Sequence, residues 1–274
     1  MPGSRPRRAT AIATFLFLSA CELPTENIAP SATRLLVHAV LDAGTPVHWI
    51  RVERSASGFG RRFQHVPGAD VTITAPDGQV FRGLEEPNVF IAGTSGAYLI
   101  ADLGTPSIPS TNIPLLPGGT YTLRIRTPDG EEVSGSTTMP DFVPLALPIV
   151  NDLFVRARDT LRLAWPRMQK TAGYEVDVKS TFSSSDEFST ATYTVFTDTT
   201  ITIAGTARTF ENEEIFKTGF TAAVHVAAVD DNYYTYYHPV VDPFAGAPPS
   251  RLTGAIGVFG SIAPVMLIFF REVR

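Results

Sequence analysis

The chain has 274 residues, a formal net charge of −5 and one cysteine. Its 44% apolar and 10% aromatic residues exclude a disordered chain, and its length favours two domains over one. The excess of acidic residues argues against a surface for nucleic acids or anionic lipid headgroups, and a lone cysteine excludes an internal disulfide.

The first 21 residues have the pattern of an export signal. Three arginines within residues 1–10 precede the apolar run Ala11–Ala20. This run is too short to cross a bilayer, which takes about 20 residues. It ends in Leu18-Ser19-Ala20-Cys21, and Leu18 is too large for the −3 position of an ordinary cleavage site. A chance cysteine beside an ordinary signal peptide is the alternative interpretation.

Leu18-Ser19-Ala20-Cys21 resembles the lipobox of bacterial lipoproteins. The resemblance implies cleavage between Ala20 and Cys21, a diacylglyceryl group on the Cys21 thiol, and acylation of the new amino group. Two or three acyl chains would hold the protein at a membrane, because each buried methylene contributes about 0.8 kcal/mol. Glu22 follows Cys21 where aspartate would favour inner-membrane retention, so the resemblance implies the outer membrane, on its periplasmic or surface face. Without the three signal arginines, 19 basic residues face 27 acidic ones, a net charge of −8.

Residues 21–32 are predicted to be the lipidated cysteine and an extended tether, since Glu22–Ala32 contains two prolines and no periodicity. If fully extended, those eleven residues would span about 35 Å from end to end. Residues 33–140 are predicted to form a first domain of short strands. Leu35–Leu41 predicts a strand buried on both faces, and Val47–Val52 is its expected partner.

Two Pro-Asp-Gly sequences, within Val71–Gly83 and Leu123–Gly135, predict two hairpins. Asp77 and Asp129 are therefore interpreted as turn residues and not as catalytic acids. Together with Gly68-Ala69-Asp70-Val71 and the Pro117–Tyr121 segment, these hairpins resemble the prealbumin-like or carboxypeptidase-regulatory-like β-sandwich. The resemblance implies a structural or adhesive module.

Residues 149–274 are predicted to form a second β domain. The Leu161–Trp165, Gly173–Val178 and Val224–Val229 strands resemble fibronectin type III over residues 149–238, with the charges of Gly173–Val178 facing outward. Ala222 stands where that family has its corner tyrosine. The final stretch, Gly254–Phe270, favours one or two buried strands over a membrane span, because it contains three glycines and a proline. The predicted fold class is all-β: two Ig-like β-sandwich domains in tandem, after a cleaved lipoprotein signal (residues 1–20) and a short tether.

The tyrosine segment has the most unusual composition in the chain; its members are Tyr233, Tyr234, Tyr236, Tyr237 and His238. In a strand, Tyr233 and Tyr237 would share one face, with the other three residues on the opposite face. The functional interpretation is an exposed aromatic platform for a sugar, a peptide or a partner protein. The alternative is that two tyrosines are core residues and two cover a domain junction.

The sequence offers no constellation for catalysis, so we predict that the protein is not an enzyme and has no cofactor. Its five histidines are scattered without a spacing that suits zinc: His38, His48, His65, His225 and His238. Asp230-Asp231-Asn232, with Asp242 nearby, has oxygen ligands for Ca²⁺ but not the alternating spacing of a calcium loop, which favours turn chemistry. No metal site is predicted.

As a whole, the chain resembles an uncharacterised family of bacterial outer-membrane lipoproteins that share a domain of unknown function. The motifs that carry this resemblance are Cys21, Gly68-Ala69-Asp70-Val71, Asp231-Asn232-Tyr233-Tyr234, Asp242-Pro243-Phe244 and Gly257-Val258-Phe259-Gly260. Genes of that family often lie beside TonB-dependent transporters. The resemblance thus implies a lipid-anchored module that assists an outer-membrane β-barrel transporter in nutrient uptake and binds no nucleic acid. A passive structural or adhesion lipoprotein is the alternative, and a hydrolase is the least favoured.

Overall fold

The computed structural model describes residues 33–55, 63–91, 94–101, 113–141, 150–183, 188–209, 211–216, 221–241 and 249–272. Within these ranges the protein has fifteen strands and one short helix, so the all-β prediction is confirmed. By its internal contacts, the chain from Ala32 to Arg274 forms one compact unit.

The elements follow one another closely along the chain. The first eight strands are β1 (Leu35–Asp42), β2 (Trp49–Arg54), β3 (Gln64–His65), β4 (Asp70–Thr74), β5 (Val80–Ile91), β6 (Thr94–Ala101), β7 (Thr120–Arg126) and β8 (Glu132–Thr138). The remaining elements are β9 (Val150–Phe154), β10 (Thr160–Ala164), β11 (Gly173–Ser183), β12 (Phe188–Thr197), β13 (Thr200–Ala204), β14 (Thr221–Val229), α1 (Asp231–Val241) and β15 (Ile256–Glu272).

Thirteen of the strands form one mixed sheet, in the order β12-β11-β14-β15-β1-β2-β6-β5-β4-β7-β8, with β3 on β2 and β9 on β15. Strands β10 and β13 form a separate antiparallel pair. Strand β15 pairs in parallel with both β1 and β9, whereas the other pairings within the described residues are antiparallel.

The long final strand β15 connects the two halves of the sequence. Its first part pairs with β1, from Leu36 opposite Ile256 to Asp42 opposite Ile262, and its second part pairs with β14. Pro264 is accommodated where the register between β14 and β15 shifts at Val226/Ala227, as expected for a proline within a sheet. The prediction of a final strand is confirmed. The predicted boundary between residues 140 and 149 lies almost wholly outside the described residues, and the division into two domains stays a prediction.

Two hydrophobic cores lie on this sheet. The first core is enclosed by the curled part of the sheet, because Ser134 of β8 and Thr253, just before β15, exchange two backbone hydrogen bonds of 3.1 and 2.9 Å. The second core lies between β11, β14 and the end of β15 on one side and the β10–β13 pair on the other, and it includes Trp165 and Phe216.

The two Pro-Asp-Gly hairpins are confirmed as β4–β5 and β7–β8. Gly78 and Gly130 adopt φ angles of +86° and +89°, which other residues rarely take. Asp77 accepts a hydrogen bond of 2.9 Å from the Gln79 backbone, and Asp129 accepts one from the Thr127 hydroxyl. Both aspartates are therefore turn residues, as predicted.

Three buried tyrosines tie loops to the sheet through their hydroxyl groups. The Tyr98 hydroxyl donates to the Val66 carbonyl at 2.6 Å and accepts from the Ala69 N–H at 2.8 Å. The Tyr121 hydroxyl makes the same pair of bonds with Pro114 and Leu116, and the Tyr174 hydroxyl does so with Pro166 and Met168. In the second half of the chain, Tyr174 on β11 therefore anchors a loop through its hydroxyl group. Ala222 on β14, which stands at the position of the fibronectin corner tyrosine, has no hydroxyl group to do so.

Candidate functional site

The tyrosine segment is helical, and its interpretation as a strand is wrong. Residues Asp231–Val241 form α1, in which side chains four positions apart share a face. The rings of Tyr233 and Tyr237 have centroids 4.4 Å apart, and those of Tyr234 and His238 stack at 4.9 Å. These two i, i+4 aromatic pairs are the sequence signal that would have indicated a helix.

Asp230 starts the helix. Its side chain accepts a hydrogen bond of 2.9 Å from the Tyr233 N–H, as an N-cap residue does three positions ahead of its partner. The same carboxylate accepts hydrogen bonds from the Ser261 N–H at 3.0 Å and from the Thr137 hydroxyl at 2.7 Å. Asp230 is buried, which raises its pKa, while these hydrogen bonds oppose that rise. The residue therefore joins α1 to β8 and β15 at one buried point.

The helix packs on the face of the sheet opposite the two cores. Tyr233 and Tyr234 contact a small cluster that includes Ala227, Val229 and Ile262. Gly260 permits this contact, because a Cβ atom there would lie 3.0 Å from both the backbone nitrogen and the Cβ of Tyr233.

Glu175 on β11 lies beneath the helix. The Tyr233 hydroxyl donates a hydrogen bond of 2.8 Å to its Oε2 atom. Glu175 is 8% exposed, so the prediction that the charges of this strand face outward is wrong at this position. The reason is that α1 covers the face, which an alternating pattern cannot reveal. Burial, and next the charge of Asp177, raise the pKa of Glu175 to about 7.

His38 on β1 is the second titratable group under the helix. Its Nε2 atom is hydrogen-bonded to the Tyr237 hydroxyl. Burial, and next the positive charge of Arg51, lower the pKa of His38 to about 4, so the imidazole is neutral at physiological pH. Burial is also the main cause of the raised pKa values of Tyr233 and Tyr237. The sequence pattern did not single out His38 or Glu175 as site residues.

The five residues of the tyrosine segment are neither fully buried nor fully exposed. Four of them contact the sheet: Tyr233, Tyr234 and His238 lie against Phe196, and Tyr237 lies against His38. Tyr236 packs edge-on against Tyr237, with centroids 5.1 Å apart. The neutral imidazole of His38 and the phenols of Tyr233 and Tyr237, whose pKa values are raised, offer hydrogen bonds and aromatic contact. Its role as a binding platform stays a prediction.

The acidic residues at the start of the helix are engaged in structural contacts. Asp230 caps the helix, and Asp231 forms an ion pair with Arg251. The described parts of the chain contain no group of three or more His, Cys, Asp or Glu side chains placed to hold a metal ion. Asp242 of the Ca²⁺ hypothesis lies outside these parts.

A concave surface of about 580 Å³ lies on the outer face of β4, β7 and β8. Its charged lining residues are Asp70, Arg124, Arg126 and Glu132. Arg126 lies 4.0 Å from Glu132, and Arg82 of the neighbouring strand lies 3.2 Å from Asp70. Seven of the nine residues that line this surface have charged or hydroxyl side chains, so it offers hydrogen bonds and charges to a polar ligand.

Leu18, Ser19, Ala20 and Cys21 lie outside the described residues, and the lipid attachment and cleavage stay predictions. Among the described residues, no helix has both the length and the apolar character needed to cross a membrane.

Comparison with curated proteins gave no match. Comparison with family models gave one, described as Domain of unknown function (DUF4249), over residues 22–264. Because this match covers most of the chain, the protein belongs to the DUF4249 family of unknown function.

Proposed function

We propose that the protein is a lipid-anchored binding or accessory module of the bacterial cell envelope, which assists an outer-membrane transporter in nutrient uptake. The observation that carries the proposal is the lipobox-like Leu18–Cys21 sequence after a short apolar run. The family match supports it, because the match begins at Glu22, directly after Cys21.

The proposed mechanism is local concentration at a membrane. Acyl chains on Cys21 would confine the all-β body to a layer whose depth is set by the tether, about 35 Å at full extension. Confinement raises the effective concentration of the body beside membrane proteins, so weak contacts with a transporter suffice for association. Among the described residues, the charged concave surface that includes Arg124 and Arg126 is a candidate for binding a polar ligand.

The direct test is a Cys21→Ser variant, with Ser19→Ala as the matched control because alanine is also small at that position. We expect the unaltered and Ser19→Ala proteins to carry acyl groups on their mature N-terminus, detected by mass spectrometry, and to fractionate with membranes. The Cys21→Ser protein should lose both properties. Membrane retention of an unacylated Cys21→Ser protein would contradict the proposed anchor.

The accessory role has its own test. We expect the protein to co-purify with an outer-membrane β-barrel transporter after gentle detergent extraction, and we expect its deletion to impair uptake of that transporter's substrate. Recovery of the protein alone, together with normal uptake by the deletion strain, would refute the role while leaving the anchor intact.

The second candidate function is a passive structural or adhesion lipoprotein. The observation that favours it is the packing of Tyr233, Tyr234 and His238 against Phe196, which uses these side chains within the protein. A variant of Tyr236 distinguishes these two candidate functions, because the Tyr236 ring packs on Tyr237 of the same helix. A binding platform predicts that Tyr236→Ala impairs uptake at normal protein levels, whereas a passive module predicts no effect.

A further inference from the structure

Two phenylalanines are strongly exposed at one end of the sheet. Phe90 is 67% exposed and Phe63 is 53% exposed, although phenylalanine is among the residues most often buried. The register of β5 and β6 places Phe90 opposite Ser95. The next residue, Gly96, lies against His65 of β3, since a Cβ atom there would come within 2.5 Å of the His65 ring. Phe63 precedes that strand, so the two exposed rings belong to adjacent strand ends.

The same end of the sheet is where the described chain begins. Leu35, the first residue of β1, pairs with Arg54 of β2, and Arg54 pairs with Gln64, the neighbour of Phe63. The Ser55 N–H also donates a hydrogen bond of 2.9 Å to the carbonyl of Arg34. We call this region, formed by Arg34, Ser55, Phe63 and Phe90, the tether end.

The length of the tether limits how far this end can lie from the proposed lipid. Eleven residues lie between Cys21 and Thr33, and at full extension they span about 35 Å. The opposite end of β5, at Val80, lies ten residues from Phe90, or about 33 Å along an extended strand. At full extension the tether could let either end reach the bilayer, but a chain of that length without regular structure has an r.m.s. end-to-end distance of only about 18 Å. The tether end, where the chain enters the body, is therefore the end that lies nearer to the bilayer on average, and it carries the two exposed rings.

The charges at the tether end favour an apolar contact. Arg54 forms ion pairs with Asp129 and Glu131 of the second Pro-Asp-Gly turn, which offset its positive charge. A surface with exposed aromatic rings beside an arginine whose charge is compensated suits the interfacial layer of a bilayer, where large apolar side chains gain from burial.

We propose that the tether end is a membrane-docking surface, on which Phe63 and Phe90 insert into the bilayer that holds the acylated Cys21. This inference rests on the proposed lipid anchor. Because the anchor makes the contact intramolecular, two aromatic side chains suffice for docking, although they would not recruit a free protein. Docking of this kind orients the body, with the Val80 end directed away from the membrane.

The test uses the full mature lipoprotein, purified from envelope membranes and reconstituted into vesicles of a neutral phospholipid. Phe90→Cys and Val80→Cys variants are labelled at the new thiol with an environment-sensitive fluorophore. Val80 is the matched control, because it lies on the same strand and is 48% exposed. Each sample is then compared in vesicles with and without bromine near the headgroup end of the acyl chains, because bromine quenches fluorophores that enter the bilayer. The unaltered protein is the control for the anchor, since an acylated Cys21 cannot take the label.

We expect the label at position 90 to shift its emission to the blue and to lose most of its intensity in brominated vesicles, with no change at position 80. Equal, unquenched emission at both positions, with the unaltered protein unlabelled, would overturn the docking proposal and leave the anchor standing. Labelling of the unaltered protein at Cys21 would overturn the anchor, and the docking proposal with it. Protection of position 90 in native envelope membranes but not in vesicles would overturn the proposal by assigning the surface to a protein partner.

Discussion

The buried carboxyl group of Glu175 makes the stability of this protein depend on pH. Its folded-state pKa of about 7 lies above the ordinary value of 4.5, so the folded protein holds a proton that the unfolded chain releases between those pH values. The contribution of Glu175 to the free energy of unfolding is fully present below pH 4.5 and declines as pH rises to about 7. A shift of 2.5 units at about 1.4 kcal/mol each corresponds to about 3 kcal/mol.

His38 acts in the opposite direction over nearly the same range. Its folded-state pKa of about 4 lies below the ordinary 6.5, so the unfolded chain binds the extra proton, and stability from this group rises as pH increases from 4 to 6.5. The two contributions are of similar size, about 3 kcal/mol each, and largely cancel in the unaltered protein between pH 4.5 and 6.5. Each single variant is therefore more informative than the unaltered protein.

We expect Glu175→Gln to keep an acceptor for the Tyr233 hydroxyl and to remove the burial penalty of the carboxylate. Its free energy of unfolding should match that of the unaltered protein near pH 4.5 and exceed it by about 3 kcal/mol at pH 8. Urea denaturation followed by tryptophan fluorescence at a series of pH values measures the difference, since Trp165 is buried. Glu132→Gln is the control, because that side chain is 76% exposed and should show no such trend. A constant difference between Glu175→Gln and the unaltered protein from pH 4.5 to 8 would refute the reasoning.

Three further predictions concern contacts that hold the fold together. Gly260→Ala should cost about 1–3 kcal/mol of stability in urea denaturation, because its methyl group would collide with the α1 backbone at Tyr233; an unchanged midpoint would show that the helix can move away freely. Asp230→Ala should cost at least about 2 kcal/mol and reduce the helical signal in circular dichroism, since two buried donors and one partly buried donor lose this acceptor. Asp230→Asn should lose less, and equal losses would contradict the capping role. Tyr121→Phe should lower the melting temperature through about 1–3 kcal/mol lost from two hydrogen bonds of 2.7 Å, without changing the far-ultraviolet spectrum.

Local patterns were enough to predict much of the sheet. Pro-Asp-Gly specifies a turn through its own backbone preferences, and the two hairpins formed as expected at Gly78 and Gly130. The antiparallel pairing of β1 with β2 followed from two neighbouring apolar runs. The predicted burial of both faces of β1 was correct for one face, where Val37 and Ala39 enter the first core. The other face is partly covered, because α1 lies over His38 and Val40.

The helix α1 was not predictable from propensity. Tyrosine, asparagine and threonine are weak helix formers, and Pro239 lies within the helix. What stabilises it is tertiary: the cap from Asp230, which is itself held by Thr137 and Ser261, and the space that Gly260 leaves on β15. The burial of Glu175 follows from the same packing, so the sequence could not reveal that this carboxyl group has a strongly raised pKa.

The amino-acid sequence by itself determined the all-β class, the hairpin turns, the final strand and membership of the DUF4249 family, because each depends on residues close together in the chain or on similarity along it. Only the tertiary structure decided that β15 pairs in parallel with β1, more than 200 residues earlier, and that α1 covers the face of the sheet opposite the two cores. The physical reason is that side chains distant in sequence select these arrangements together, through shared burial and hydrogen bonds that no short pattern contains.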